Sequence, residues 1–165
     1  FNLVGFQTQL KWGDQKRVFS MIPGLAEAEF VRLGVMHRNT YLASPGFLAP
    51  TMLRRDHPDQ AFAGTLIGVE GYTEAAATGL LAGLNLGRTV RGLAPLELPP
   101  TTMLGALARY VSSADPKHFQ PMNANWGLVD PWPARLRDKA ERRRLQAERA
   151  MTDLEATLAI ASPIA

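Results

Sequence analysis

The distribution of apolar and polar positions divides the chain into a few short extended segments and several helices. Phe1 to Gln9 alternates in the manner of a strand. Asp14 to Ile22 predicts a short helix: Gly13-Asp14 can cap it, Val18, Phe19 and Ile22 share a face, and Pro23-Gly24 stops it. Glu29 to Met36 is strand-like. His37 to Pro50 is broken by prolines and a glycine and reads as irregular. Thr51 to Arg55 predicts a short strand before a turn at His57-Pro58-Asp59. Ala61 to Gly64 predicts another, running into a glycine-rich loop. Helical spacing then holds from about Thr73 to Val90, with Gly79, Gly83 and Gly87 on one strip. A proline-rich stretch, Pro95 to Pro100, precedes a helix over Thr102 to Ser112. Asp115 to Pro133 predicts a long loop, and Pro133 suits the first position of a last helix, Ala134 to about Ala161.

The apolar run from Ala75 to Leu86 is too short for a membrane span and is interrupted by Thr78, Gly79, Gly83 and Asn85. Phe1 to Phe6 lacks a basic region and a small-residue cleavage site, so it does not read as a signal peptide. A soluble cytoplasmic protein is expected, with no membrane partner.

With 165 residues, 46% hydrophobic and 20% charged, the chain can build a core of its own. The net charge of +3 is compatible with nucleic acid without pointing to it. No cysteine is present, which excludes disulfides, thiolate metal sites and cysteine nucleophiles within this segment. His37, His57 and His118 are scattered without metal-ligand spacing, so no metal is expected.

The chemistry-bearing stretch is Phe62 to Ala77: strand, glycine loop, helix. Gly64, Gly68 and Gly71 are spaced four and three apart, which is not the first dinucleotide fingerprint. The physics is related all the same. Glycines let backbone approach a flat or anionic ligand, and the start of the following helix aims free N–H groups and a positive dipole end at it. In flavoproteins of the glutathione-reductase type, a motif of this kind late in the chain faces the pyrimidine edge of the flavin. A tight strand-to-helix turn with a closely packed helix accounts for the same residues equally well. Glu70 can act as an acid or hold the loop by accepting backbone N–H bonds, the second being the better reading. Tyr72 can hydrogen-bond a cofactor or pack.

Gly68-Val69-Glu70-Gly71-Tyr72, Glu74-Ala75-Ala76 and Gly79-Leu80-Leu81-Ala82-Gly83 resemble the flavin motif of the TrmFO family of folate- and FAD-dependent tRNA uridine methyltransferases. The resemblance continues through Asn2 to Thr8, Leu10 to Gly13, Gln15 to Phe19 and Met21 to Leu25. It extends to Gly34 to Thr40, Pro99 to Thr102 and Lys117 to Asn123, and covers nearly all of residues 2 to 128 in colinear order. The last helix is similar only in character.

The resemblance implies an α/β fold. Residues 1–40 would end an inserted substrate domain, and residues 41–165 would close a glutathione-reductase-type, Rossmann-like FAD domain with its C-terminal helices. It implies transfer of a one-carbon unit from methylenetetrahydrofolate to C5 of the T-loop uridine of tRNA. FAD reduced by NAD(P)H carries the carbon and supplies the electrons. Two cysteines and the first glycine fingerprint would lie upstream of Phe1, in a missing N-terminal half of the polypeptide, so the segment alone would be inactive. Gly64, Thr65, Gly68, Val69, Glu70, Gly71 and Tyr72 become candidates for binding FAD. His37 becomes a candidate for stacking on the pterin of folate, with Arg38 and Asn39 as polar neighbours; without the resemblance it reads as a hydrogen-bonded loop histidine.

For tRNA phosphates the candidates are Lys11, Lys16 and Arg17, and Arg142, Arg143 and Arg144 on the last helix. Each is also explained as a solvated or i, i+4-paired charge. Two other readings compete. One is the related wobble-uridine flavoprotein MnmG (GidA), which shares the glycine motif but continues into a large helical domain. The other is a non-catalytic module that binds tRNA or a protein partner. Trp12-Gly13 and His37 to Thr40 favour the folate-dependent branch.

Overall fold

A computed structural model describes residue 3, residues 10–34 and residues 40–161. The chain divides into two compact units, Phe1–Asn39 and Thr40–Ala165. The strand expected over Phe1 to Gln9, and the candidates His37, Arg38 and Asn39, lie outside the described residues apart from Leu3.

In the first unit, α1 spans Trp12–Phe19. It begins earlier than the sequence pattern suggested and stops before Ile22. Its one buried residue is polar: Gln15 donates from Nε2 to the carbonyls of Leu10 (2.8 Å) and Gly34 (3.0 Å) and accepts from the Gly34 N–H at 3.0 Å. One amide thus ties the helix to chain nineteen residues away. Phe19 and Phe30 add an apolar contact with ring centroids 6.1 Å apart. Residues 29–34 form no ladder, contrary to the strand expected at Glu29 to Met36. Gln15 supplies the hydrogen bonds to Gly34 that a neighbouring strand would have supplied.

Among its described residues the second unit contains three α-helices: α2 (Tyr72–Val90), α3 (Met103–Ser113) and α4 (Lys139–Ile160). Its core gathers Leu48, Met52, Ile67, Val69, Leu81, Leu107, Val111 and Phe119. α3 packs on a 3-10 turn at Ser44–Gly46, and α2 packs on α3 and on a 3-10 turn at Gly64–Ile67. Thr102 caps α3 by accepting from the Gly105 N–H at 3.0 Å. At Gly105 a side chain would overlap the carbonyls of Leu98 and Pro99, so glycine lets the proline-rich segment lie directly on α3.

Among the described residues the expected α/β character reduces to three isolated bridges: Leu48 with Arg54, Leu53 with Ala61, and Val69 with Met122. The segments Thr51 to Arg55 and Ala61 to Gly64 do meet, but at one residue pair. An extended segment becomes a strand only where a neighbour offers several consecutive partners. Here the chain turns back at once: Met52, at φ 66°, closes a turn on Ala49, and Gly64 at φ 67° begins a 3-10 turn.

α4 begins at Lys139, not at Ala134. Asp138 accepts from the N–H groups of Ala140 (2.8 Å) and Glu141 (3.4 Å), a stronger start than Pro133 provides. No described helix is long and apolar enough to cross a membrane.

Candidate functional site

The glycine loop is held by its own backbone and by two neighbours. Gly64 to Ile67 coils into the 3-10 turn, closed by Gly68 N–H to Thr65 O at 3.1 Å and Val69 N–H to Gly64 O at 3.3 Å. Gly68 then takes φ 80°, and a Cβ there would lie 2.6 Å from Cζ of Phe119. Only glycine combines that backbone with that ring. Phe119 is in turn wedged between Tyr41 (5.9 Å) and Tyr110 (5.6 Å). The loop next pairs with the segment after α3: Met122 N–H donates to Gly68 O and Glu70 N–H to Met122 O, both at 3.0 Å. Gly71, at φ 95°, turns the chain into α2, and a Cβ there would overlap the Glu74 carboxylate and lie 3.0 Å from Nδ2 of Asn123.

Thr78, fully buried one turn into α2, completes the arrangement. Its hydroxyl accepts from Gly64 N–H at 3.1 Å and donates to Glu74 O at 2.8 Å. No side chain caps α2. Among the described residues, the N–H groups of Tyr72, Thr73 and Glu74 have no acceptor. Loop and helix therefore present first-turn N–H groups without acceptors, with the Glu74 carboxylate close to Gly71, beside exposed Thr65, Glu70 and Tyr72.

The seven candidates drawn from this stretch play different parts. Gly64, Gly68 and Gly71 shape the backbone. Val69 is wholly buried, so its side chain belongs to the core. Thr65, Glu70 and Tyr72 face solvent, Tyr72 at 99% exposure. The Glu70 carboxylate accepts no hydrogen bond from a described residue. The loop-holding role expected of it is filled by Thr78 and by the backbone of Met122. Sequence reasoning missed Thr78, Phe119 and Met122. The last two lie inside the matching stretch Lys117 to Asn123, and both contact the loop, Phe119 at Gly68 and Met122 at Gly68 and Glu70. Thr78 gave no signal beyond its position one turn into the helix.

The candidate cations separate as well. Lys11, Lys16 and Arg17 are exposed on the first unit, where Arg17 pairs with Asp14 at 3.3 Å. On α4, Arg144 is engaged twice, by Glu141 (2.8 and 3.0 Å) and by Glu148. The guanidinium holds the Glu141 carboxyl below its ordinary value, and both carboxylates raise Arg144. Arg142 and Arg143 are exposed and enter no ion pair with a described residue. Arg143 lies over the Trp126 ring, 5.9 Å from its centroid.

The chain is similar to proteins named methylenetetrahydrofolate–tRNA-(uracil-5-)-methyltransferase TrmFO. It is 57% identical to that of Brevibacillus brevis over 155 residues, covering 94% of this chain and 36% of the relative. Identity is also 57% to the Enterococcus faecalis protein over 151 residues, 92% of this chain and 35% of that one. The Desulforudis audaxviator protein is 57% identical over 159 residues, again 36% of its length. The chain thus spans about a third of the length of the curated relatives it matches. The model of the family described as glucose inhibited division protein A matches residues 1–94, more than half of the sequence, and the chain belongs to that family.

Proposed function

We propose that this chain is the C-terminal part of a folate-dependent tRNA uracil-5-methyltransferase, forming 5-methyluridine in the T-loop. The carrying observation is 57% identity over 94% of the chain to proteins of that name. The same relatives favour this reading over a wobble-uridine enzyme, and their greater length agrees with catalytic cysteines lying upstream. The second unit would then close a Rossmann-like FAD domain, and the first would end a substrate domain. A cytoplasmic location follows from a tRNA substrate.

The residues present fit one edge of a flavin. The first-turn N–H groups of Tyr72, Thr73 and Glu74 lack internal acceptors, and the loop before them is held rigid through Gly68 and Thr78. Such a helix end would hold an electron-rich ring edge and favour negative charge on it. Thr65 and Tyr72 offer hydroxyls beside it, while Val69 and Gly68 fix the backbone. When bound, FAD supplies the electron and one-carbon chemistry, with NAD(P)H as reductant. His37, with Arg38 and Asn39, would hold the pterin, because a flat imidazole can stack and hydrogen-bond at its rim.

The test uses the full-length polypeptide purified with FAD, labelled methylenetetrahydrofolate, NADPH and an unmodified tRNA transcript. Label should enter the tRNA and fall at least about tenfold in His37→Ala with FAD retained, the loss of one stacked, hydrogen-bonded contact. Unchanged label in the mutant would remove His37 from the folate site. No label at all from flavin-loaded protein would overturn the reaction.

A further inference from the structure

The positive charge of this chain is concentrated in one place. Between Arg135 and Arg149 stand seven arginines and lysines against three acidic residues, a net +4. The whole chain carries +3, so everything else sums to −1. Part of that charge is already engaged. Arg144 is held by Glu141 and Glu148. Arg149 turns inward to the carbonyls of Asp130 and Pro131, with its guanidinium 5.5 Å from the Trp132 ring centroid.

Of the remaining five, Arg135 and Arg137 precede α4 and the other three form a distinct face on it. Lys139, Arg142 and Arg143 stand at i, i+3 and i+4 on the first turns of α4, and all three are exposed. Beside them is Trp126, 39% exposed, with Arg143 over its ring. The indole is not on a loose loop. Asn125 accepts from Gly127 N–H at 2.9 Å and donates to Asn123 O at 3.0 Å, and Leu128 N–H closes on Asn125 O at 3.1 Å. Arg109 anchors the same loop through Leu128 O and Asp130.

We infer that Trp126 and Arg143, with Arg142 and Lys139, form a contact surface for the RNA substrate; the inference rests on the tRNA reading above. Unpaired cations answer phosphates and carry the salt-dependent part of binding. A fixed aromatic ring beneath a guanidinium answers an unstacked base, the arrangement by which proteins hold RNA loops. An acidic protein would use the cations but would have no use for the flat ring. Arg144, included with its neighbours on sequence alone, is excluded because two carboxylates already neutralise it.

The experiment measures binding of unmodified tRNA transcript to the full-length, FAD-loaded polypeptide across a series of salt concentrations, with methylation followed in parallel. Arg142→Ala/Arg143→Ala should raise Kd about tenfold or more and lower the salt slope by about 1.5 to 2, the loss of two phosphate contacts. Trp126→Ala should raise Kd at least about fivefold with the slope unchanged, because stacking releases no counterions. Arg142→Lys/Arg143→Lys should keep the slope, which separates lost charge from damaged folding. Arg144→Ala should change Kd less than the double variant. Binding by Arg142→Ala/Arg143→Ala and by Trp126→Ala within twofold of the parent, while the parent binds and methylates tRNA, would overturn this surface alone. A parent protein that binds no tRNA would overturn the surface and the proposed function together.

Discussion

Thr78 shows how much of the site depends on a residue without chemistry of its own. Its hydroxyl is the acceptor for Gly64 N–H and is fully buried, so the turn that carries the glycine loop hangs from the second turn of α2. Thr78→Val keeps the volume and removes the acceptor. The stranded N–H should cost about 1–3 kcal/mol, while Thr78→Ser should recover most of it. Urea unfolding of the chain measures this directly; equal midpoints for Val and Thr would mean that the loop does not depend on the bond. In the full-length protein Thr78→Val should also weaken FAD retention, because the loop and the open helix end are aligned by the same hydroxyl. The residue was invisible in the sequence: a threonine inside a helix usually bonds back to its own turn, and only the fold shows it reaching across to Gly64.

At the scale of elements, the two central helices were closely legible, the starts of α1 and α4 less so, and the strands expected among the described residues were not. The pattern placed α2 within one residue of Tyr72–Val90 and α3 within one of Met103–Ser113, because helical periodicity and caps such as Thr102 are local facts. The expected strands around Leu53 and Ala61 depend on neighbours, and each finds a single bridge. Asn85 shows what takes their place. From the middle of α2 its amide donates to Thr51 O and Leu96 O, both at 2.9 Å, and accepts from Leu96 N–H at 2.6 Å. One buried side chain thereby binds the segment before the glycine loop and the segment after the helix. Asn85→Ala leaves three backbone groups without partners and should cost about 3 kcal/mol. Hydrogen exchange should show protection lost at Leu96 before it is lost within α2. If protection at Leu96 survived in Asn85→Ala, the loop around it would be held by packing alone.

At the scale of the whole molecule, α2 carries an outer face that the described chain leaves open. Tyr72, Leu80 and Val90 are 99%, 74% and 80% exposed. Between them Gly79 and Gly83 have no atom within 4 Å of where a Cβ would stand. A glycine inside a helix costs roughly 1 kcal/mol relative to alanine, and on a solvent-facing strip nothing in this chain offsets it. Two such positions on one strip suit a helix built to be approached closely by other backbone. If the chain is one third of a longer polypeptide, as the relatives' lengths support, the same substitution should act in opposite directions in the two contexts. In the 165-residue chain, Gly79→Ala/Gly83→Ala should stabilise by about 1–2 kcal/mol, since the space is open and the helix gains propensity. In the full-length protein the added methyl groups would meet whatever covers the strip, so the gain should vanish or turn into a loss of stability and of bound FAD. Denaturant melts of both proteins, each with and without the double substitution, decide the matter. An equal gain in both would mean that the strip faces water in the complete protein too, and that its glycines serve some purpose other than close packing.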